Sequence, residues 1–416
     1  MKILLSAYAC EPDKGSEPGV GWNWARTLVQ LGHQVHLITR SNNRGSVESA
    51  MQREGLRLTV SYYDLPAWAR WWKRGERGIH LYYMLWQFGI FQLARRLLRE
   101  QPFDVSHHIS FGVFRDPSFL AFLGRPFVFG PVGGAEEAPK LLLQSFPPQL
   151  RRKEQLRSLA NCVAQYNPLL RAMYRRTALC LCKTPESAAV VSTMARNVSV
   201  QLEIGCPQLP AERDGGQREK SRPVRLLYVG RLLGWKGVHL AILAFAQLRT
   251  RSAETTLTIV GRGRDEAWIR QVATESGVLE QIEWIPWVAK EQVDAIYAAH
   301  DIFVFPSLHD SSGNVVLEAL SHGLPVVCLD VGGPATIASA DCGAIIPTQG
   351  RAEAQVVRLL ADAMEDLAAH PQKRSEAGEA ARRRALQLTW KNVVAQAYQK
   401  VEQTLVASSA SPRGRD

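Results

Sequence analysis

Thirteen short apolar runs, each tied to a stretch of helical periodicity, constrain this chain more than any other feature. "KILLSA", "HQVHLIT", "RLTVSY", "FDVSHHI", "FVFG", "ALCLCK" and "SVQLEI" fall before residue 206, and "VRLLYVG", "TTLTIVG", "IEWIP", "DIFVFPS", "PVVCLD" and "GAIIP" follow residue 223. Such alternation is how parallel βαβ units read. Runs like "DIFVF" barely alternate apolar with polar, so their strands are expected to be covered on both faces. At 416 residues the chain is too long for one core. The polar, Pro- and Gly-containing stretch 206–223 reads as a linker. The expectation is therefore α/β: two doubly wound, Rossmann-like domains over 1–205 and 224–388. A last helical pattern covers 389–406, and 407–416 reads as a disordered tail.

Charge and cysteine usage narrow the class. The formal net charge is +11, which suits an acidic partner. The stretch 140–176 carries Arg151, Arg152, Lys153, Arg157, Arg171, Arg175 and Arg176 against a single acid, Glu154. Seven scattered cysteines, an odd number, fit a reduced compartment better than a disulfide framework. Cys180 and Cys182 share one face of a strand and lack a companion pair at zinc spacing, so they read as buried thiols. No 18-residue apolar span occurs, and the apolar run at the start is too short for a signal peptide. A cytoplasmic location is expected.

In open parallel sheets, ligands gather beyond the carboxyl ends of the strands. There the second half places Arg231 and, just ahead of a helix, Lys236, two cations suited to a diphosphate. It places Gly261, Arg262, Gly263 and Arg264 after the next strand, and Ser307 and Asp310 after "DIFVF". The backbone N–H groups around Ser312–Asn314, Gly313 among them, open a helix that carries Glu318 on its second turn, and such donors suit an anion. Asp310 and Glu318 can accept hydrogen bonds from sugar hydroxyls, or serve as a helix cap and as an exposed helix acid. The apolar neighbours of Glu318 argue against the exposed reading. In the first half a long glycine-bearing loop, with Gly15, Ser16, Gly19 and Gly21, lets backbone approach a ligand. His107 and His108 end a strand, and alternation sends only one of them towards a crevice. "IVGRGRDEA" imitates a dinucleotide fingerprint, but it follows the second strand of its half rather than the first, so a nicotinamide cofactor is set aside.

Together these pieces resemble the family-4 (group 1) retaining glycosyltransferases of the GT-B fold, most strongly over 224–347. The resemblance implies two Rossmann-like domains facing across a cleft, with the C-terminal helix returning to the first. It implies a nucleotide-sugar donor, a UDP- or GDP-sugar, whose diphosphate is held by Arg231 and Lys236 in "GRLLGWKG". The family's Glu-x7-Glu pair matches Asp310 and Glu318: Glu318 for the donor ribose, Asp310 for the transferred sugar. The Asp at 310 departs from the pattern, so the sugar cannot be carried over from relatives. The family's Gly-Gly loop falls on Gly15-Ser16, a second departure. Its strand-end histidine falls on His107 or His108. No essential metal or cofactor is implied, because the two cations neutralise the diphosphate. A subgroup serving bacterial polysaccharide assembly is the nearest likeness of "DSSGNVVLEALSHGLPVVCLDVGGP".

The acceptor implied by that family is a glycan or a lipid-linked saccharide. Residues 62–99 interleave aromatic and basic side chains and, with 140–176, read either as an anionic membrane-docking surface or as core aromatics with solvated cations. Nucleic-acid binding would leave the strand-end cluster of the second half unexplained. An epimerase or phosphorylase of the same architecture, or a silent nucleotide-binding scaffold, would share that rim.

Overall fold

The apolar runs form thirteen parallel strands in two sheets. The computed structural model describes residues 1–69, 72, 78–206, 223–252 and 254–410. The first sheet contains β1 (Lys2–Ser6), β2 (Gln34–Thr39), β3 (Thr59–Tyr62), β4 (Val105–His108), β5 (Phe127–Val132), β6 (Leu179–Cys182) and β7 (Val198–Val200). Its order is β3-β2-β1-β4-β5-β6-β7. The second contains β8 (Val224–Val229), β9 (Thr255–Val260), β10 (Ile282–Ile285), β11 (Ile302–Phe305), β12 (Val326–Leu329) and β13 (Gly343–Ile346), ordered β10-β9-β8-β11-β12-β13. Central strands are buried on both faces, as β4, β11 and β12 show residue for residue. This is the covered, doubly wound arrangement that continuous apolar runs require.

The chain divides into two compact units whose bounds differ from those expected. The first unit comprises Met1–Ala135, Leu159–Gly205 and the chain from Trp390; the second comprises Glu136–Ser158 and Cys206–Thr389. The segment Glu136–Ser158, placed by its position in the first domain, packs with the second sheet's helices. Phe146 sets its ring edge-on to His239 and Trp268, and Ser145 donates to Glu353. Position in the sequence alone does not say which sheet a segment such as the helix Pro148–Ala164 packs against. Cys206, expected to open the linker, forms a β-bridge to Thr389; residues 207–222 lie outside the described residues.

The final helix, Trp390–Ala410, belongs to the first unit. Its Tyr398 hydroxyl meets His107 at 3.0 Å, and Lys400 donates to the Val200 carbonyl at 2.8 Å. The helix continues through 407–410, which had read as tail, because alanine and serine tolerate it and the first breaker is Pro412. Residues 411–416 lie outside the described residues.

The glycine-bearing loop of the first half is also shorter than expected. The helix Ser16–Gln30 starts at Ser16, so Gly19 and Gly21 are helical. Their role is close packing: a Cβ on either would come within 2.1 Å of a backbone oxygen, that of Lys14 or Ala9 respectively.

Candidate functional site

The order of the second sheet reverses at the β8–β11 neighbours, the switch point beyond which ligands bind in such sheets. Arg231 follows β8 and is exposed. The turn Gly234–Lys236 then leads into the helix Val238–Arg251 through Gly237, at φ 71°. A Cβ on Gly237 would lie 1.8 Å from the Pro306 carbonyl oxygen, so only glycine lets this helix begin against the end of β11. Gly261 solves the same problem one strand over. Its φ is 146°, and a Cβ there would lie 1.9 Å from the Gly230 oxygen.

Lys236 and Asp310 meet across the switch point as an ion pair, their side chains 14% and 12% exposed. The ammonium also lies over the rings of Trp235, at 4.5 Å, and Phe305, at 5.4 Å. Burial alone would push the Asp310 carboxyl up, but Lys236 and the N–H groups of Ser312 and Gly313 hold it below its usual range. Its backbone oxygen accepts the Gly333 N–H at 2.7 Å. Gly313, at φ 69°, caps the helix Asn314–Ser321. The Asn314 Oδ1 is buried without a hydrogen-bond partner among the described residues.

Glu318 is exposed on that helix, contrary to the expectation drawn from its apolar neighbours. Those neighbours pack inward on the rest of the helix surface while the carboxylate points out, accepting the Tyr297 hydroxyl at 2.9 Å. Arg231, Lys236, Asp310, Gly313, Asn314, Glu318 and Gly261 thus all belong to strand-end loops and helix starts of one sheet.

Two residues of this rim, Trp235 and Glu154, escaped the sequence reading as site residues. Trp235 stacks on His309, and Glu154 faces His309 from the helix Pro148–Ala164. The signal for Glu154 was present: it is the lone acid in a basic run.

The first sheet's strand ends differ. Alternation does send His107 and His108 to opposite faces, but neither imidazole is accessible. His107 contacts the Gly130 oxygen at 2.7 Å and Tyr398. His108 contacts the Tyr83 hydroxyl at 2.8 Å and Ser6 at 3.1 Å. Burial pushes His107 down to about 4; burial and then the charge of His107 push His108 down to about 3. Gly15 and Ser16 are exposed, with Ser16 at φ 58°. Beside them the Glu17 carboxylate accepts the Phe111 N–H at 2.5 Å, and Lys183 pairs with Glu203 at 2.6 Å. Burial pushes the Glu17 carboxyl up, partly offset by Lys183.

Among the described residues no three His, Cys, Asp or Glu side chains cluster as a metal site would require, and no helix is long and apolar enough to cross a membrane. None of the seven cysteines, all among the described residues, is in a disulfide.

Across 97% of its length the chain is similar in fold to HepE of Anabaena, solved in complex with UDP (TM-score 0.60, 16% identity, all of that chain covered). It is equally similar to WaaG, a glycosyltransferase involved in lipopolysaccharide biosynthesis (TM-score 0.59, 20% identity, 96% of this chain and 99% of that one). The fold is the two-unit GT-B fold of glycosyltransferases. Within it, residues 212–384 match the family described as glycosyl transferases group 1, which is a likeness of that segment of the chain. Among curated relatives, the D-inositol 3-phosphate glycosyltransferase of Corynebacterium aurimucosum is 29% identical over 217 residues, 50% of this chain and 49% of its own. The chain spans about half or less of the length of the curated relatives it matches.

Proposed function

We propose that the chain is a retaining glycosyltransferase that moves a sugar from a UDP- or GDP-sugar to a glycan or lipid-linked saccharide acceptor in envelope or polysaccharide assembly. The observation that carries this is the meeting of Lys236 and Asp310 at the switch point of the segment that matches group 1 glycosyl transferases, with Arg231 exposed after β8 and Glu318 exposed on the helix after β11. An arriving diphosphate competes with Asp310 for the Lys236 ammonium. Once released, the Asp310 carboxylate accepts a hydrogen bond from a hydroxyl of the transferred sugar, while Glu318 takes the ribose hydroxyls. The bond from the anomeric carbon to the β-phosphate oxygen then breaks. Arg231, Lys236 and backbone N–H groups stabilise the charge that develops there, the electrostatic contribution that is commonly largest. The acceptor hydroxyl bonds to the anomeric carbon from the same face, and its proton passes to the departing phosphate oxygen.

The test is a thermal-shift panel of UDP, GDP, ADP and their sugars without metal, followed by product stereochemistry. Stabilisation by one nucleotide family, lost in Arg231→Ala and Glu318→Ala, supports the donor site. An inverted anomeric centre in the product rules out the same-face route.

A lipid-linked acceptor is favoured by the helix Ile79–Glu100 of the first unit. Tyr82, Tyr83 and Trp86 are buried, while Leu81 and Phe88 stand 58% exposed with Arg95, Arg96 and Arg99 further along. Apolar tips followed by cations suit an anionic membrane surface. The basic stretch 140–176 divides between the two units at Ser158. Residues 70, 71 and 73–77 of the aromatic stretch lie outside the described residues. Cosedimentation that needs anionic lipid at low salt, and fails in a Leu81→Ser, Phe88→Ser variant, is the expected result.

A further inference from the structure

Two pairs of adjacent residues interlock at the ends of β8 and β11. Trp235 stacks on the His309 imidazole, centroids 4.6 Å apart and planes 15° from parallel. Next to them, Lys236 pairs with Asp310. The Trp235 carbonyl accepts the Leu308 N–H at 2.9 Å and the Ser307 hydroxyl at 3.3 Å, so the two loops are laced through backbone as well. At its other end the turn is held by the Gly234 N–H donating to Asp265 at 2.9 Å.

Glu154 closes this assembly from behind. Its Oε2 lies 3.0 Å from the His309 Nε2, with the side chains 12% and 8% exposed. That nitrogen makes no well-aligned hydrogen bond among the described residues, so the Glu154 contact is one of proximity and charge. Burial would push the Glu154 carboxyl up, but His309, with Arg157 and Arg264 nearby, holds it below its usual range. A pair this buried is a poor device for stability, since both groups lose their water. One residue away from Asp310, it suits holding a working group in place.

We propose that Glu154 is a positioning residue for the donor diphosphate: it anchors His309, His309 anchors Trp235, and Trp235 holds the Lys236 ammonium where a phosphate oxygen replaces Asp310. The inference rests on the donor-site reading above. It assigns a role to a side chain from outside the segment matched by the family, from a helix that precedes the linker.

The experiment measures UDP and GDP, with UMP and GMP beside them, by calorimetric titration against the full chain and three variants. In Glu154→Gln, affinity for the preferred diphosphate falls about tenfold, the equivalent of about 1.4 kcal/mol, and falls less for the monophosphate. Glu154→Asp, which keeps the charge, restores most of the loss. Equal loss for mono- and diphosphate would mean that Glu154 merely supports the fold, and would overturn the proposal. So would unchanged diphosphate affinity in Glu154→Gln while Arg231→Ala loses it. Unchanged affinity in both variants overturns the donor-site reading itself, and this proposal with it. If Glu154→Gln does not fold, Trp235→Leu, which breaks the stack and leaves the ion pair, must show the same diphosphate-selective loss or the proposal fails.

Discussion

The carboxyl ends of the two sheets are built from similar residues to opposite ends. Both carry histidines, a lysine and carboxylates at the strand termini. In the first sheet the two histidines are sealed: His107 and His108 have no accessible surface and spend their nitrogens on Gly130, Tyr398, Tyr83 and Ser6. In the second, Arg231 and Glu318 are exposed, and the Lys236–Asp310 pair lies at the switch point, mostly buried. A shared architecture therefore does not distribute chemistry evenly. What distinguishes the rims is exposure: the first rim's histidines are wholly enclosed, while Arg231 and Glu318 in the second face solvent. A group that has spent its hydrogen bonds on the core supports a fold; one left open at a switch point is available to a ligand.

Acid should break the symmetry most strongly. His107 is held down to about 4 and His108 to about 3, and in the second unit burial pushes His239 down to about 3. A histidine whose folded pKa lies below its unfolded value stays neutral while the unfolded chain takes up a proton. Stability is then full above about pH 6.5 and declines as pH falls towards the folded value. Each such group costs about 1.4 kcal/mol per pH unit in that window. His33 and His36 in the first unit and His300 in the second are lowered in the same direction. The first unit, with two fully sealed strand-end histidines, should open before the second when hydrogen exchange is followed from pH 7 to 5. Earlier opening of the second unit would show that the strand-end histidines do not set acid stability.

Removing one partner from the second rim should cost nearly as much. Lys236→Met strands the Asp310 carboxylate in a mostly buried position, and breaking such a pair costs about 3 kcal/mol. Arg231→Ala, which removes an exposed cation, should stay within about 0.5 kcal/mol while abolishing nucleotide binding. Denaturant titration of both variants separates the two kinds of cation. Similar stability losses would mean that Arg231 is structural as well.

Most of the architecture was legible because strand identity depends on local composition. All thirteen runs became strands, since unbroken Val, Ile, Leu and Phe leave few alternatives. The placement of Arg231, Lys236 and Asp310 at this rim was legible because they lie within seven residues of the ends of β8 and β11, where sequence distance and spatial distance agree. Glu154 was not, because its contact with His309 spans the chain from before the linker to after β11, and nothing local encodes that approach. The same non-locality misassigned Glu136–Ser158 to the first domain. The exposure of Glu318 was misread because an amphipathic helix can carry apolar residues on either side of an outward-facing position.

Glycine gives the smallest and most discriminating contrast between the rims. Gly261 adopts φ 146°, and an added Cβ would meet the Gly230 oxygen at 1.9 Å, with no flexible side chain to move aside. Gly261→Ala should therefore cost about 2 kcal/mol, from backbone strain and the displaced β8 loop together. Gly15 sits at φ −82° with open space around its missing Cβ, so Gly15→Ala should change stability by less than about 0.5 kcal/mol. Thermal melts of the two variants test this directly. A large loss in Gly15→Ala would mean that the start of the helix Ser16–Gln30 tolerates less than its open surroundings imply. If the melt is unchanged, nucleotide titration of the same variant becomes clean. An affinity change can then only reflect an altered ligand contact, which would draw the exposed Gly15–Ser16 turn out of the structural class to which the histidines of its own rim belong.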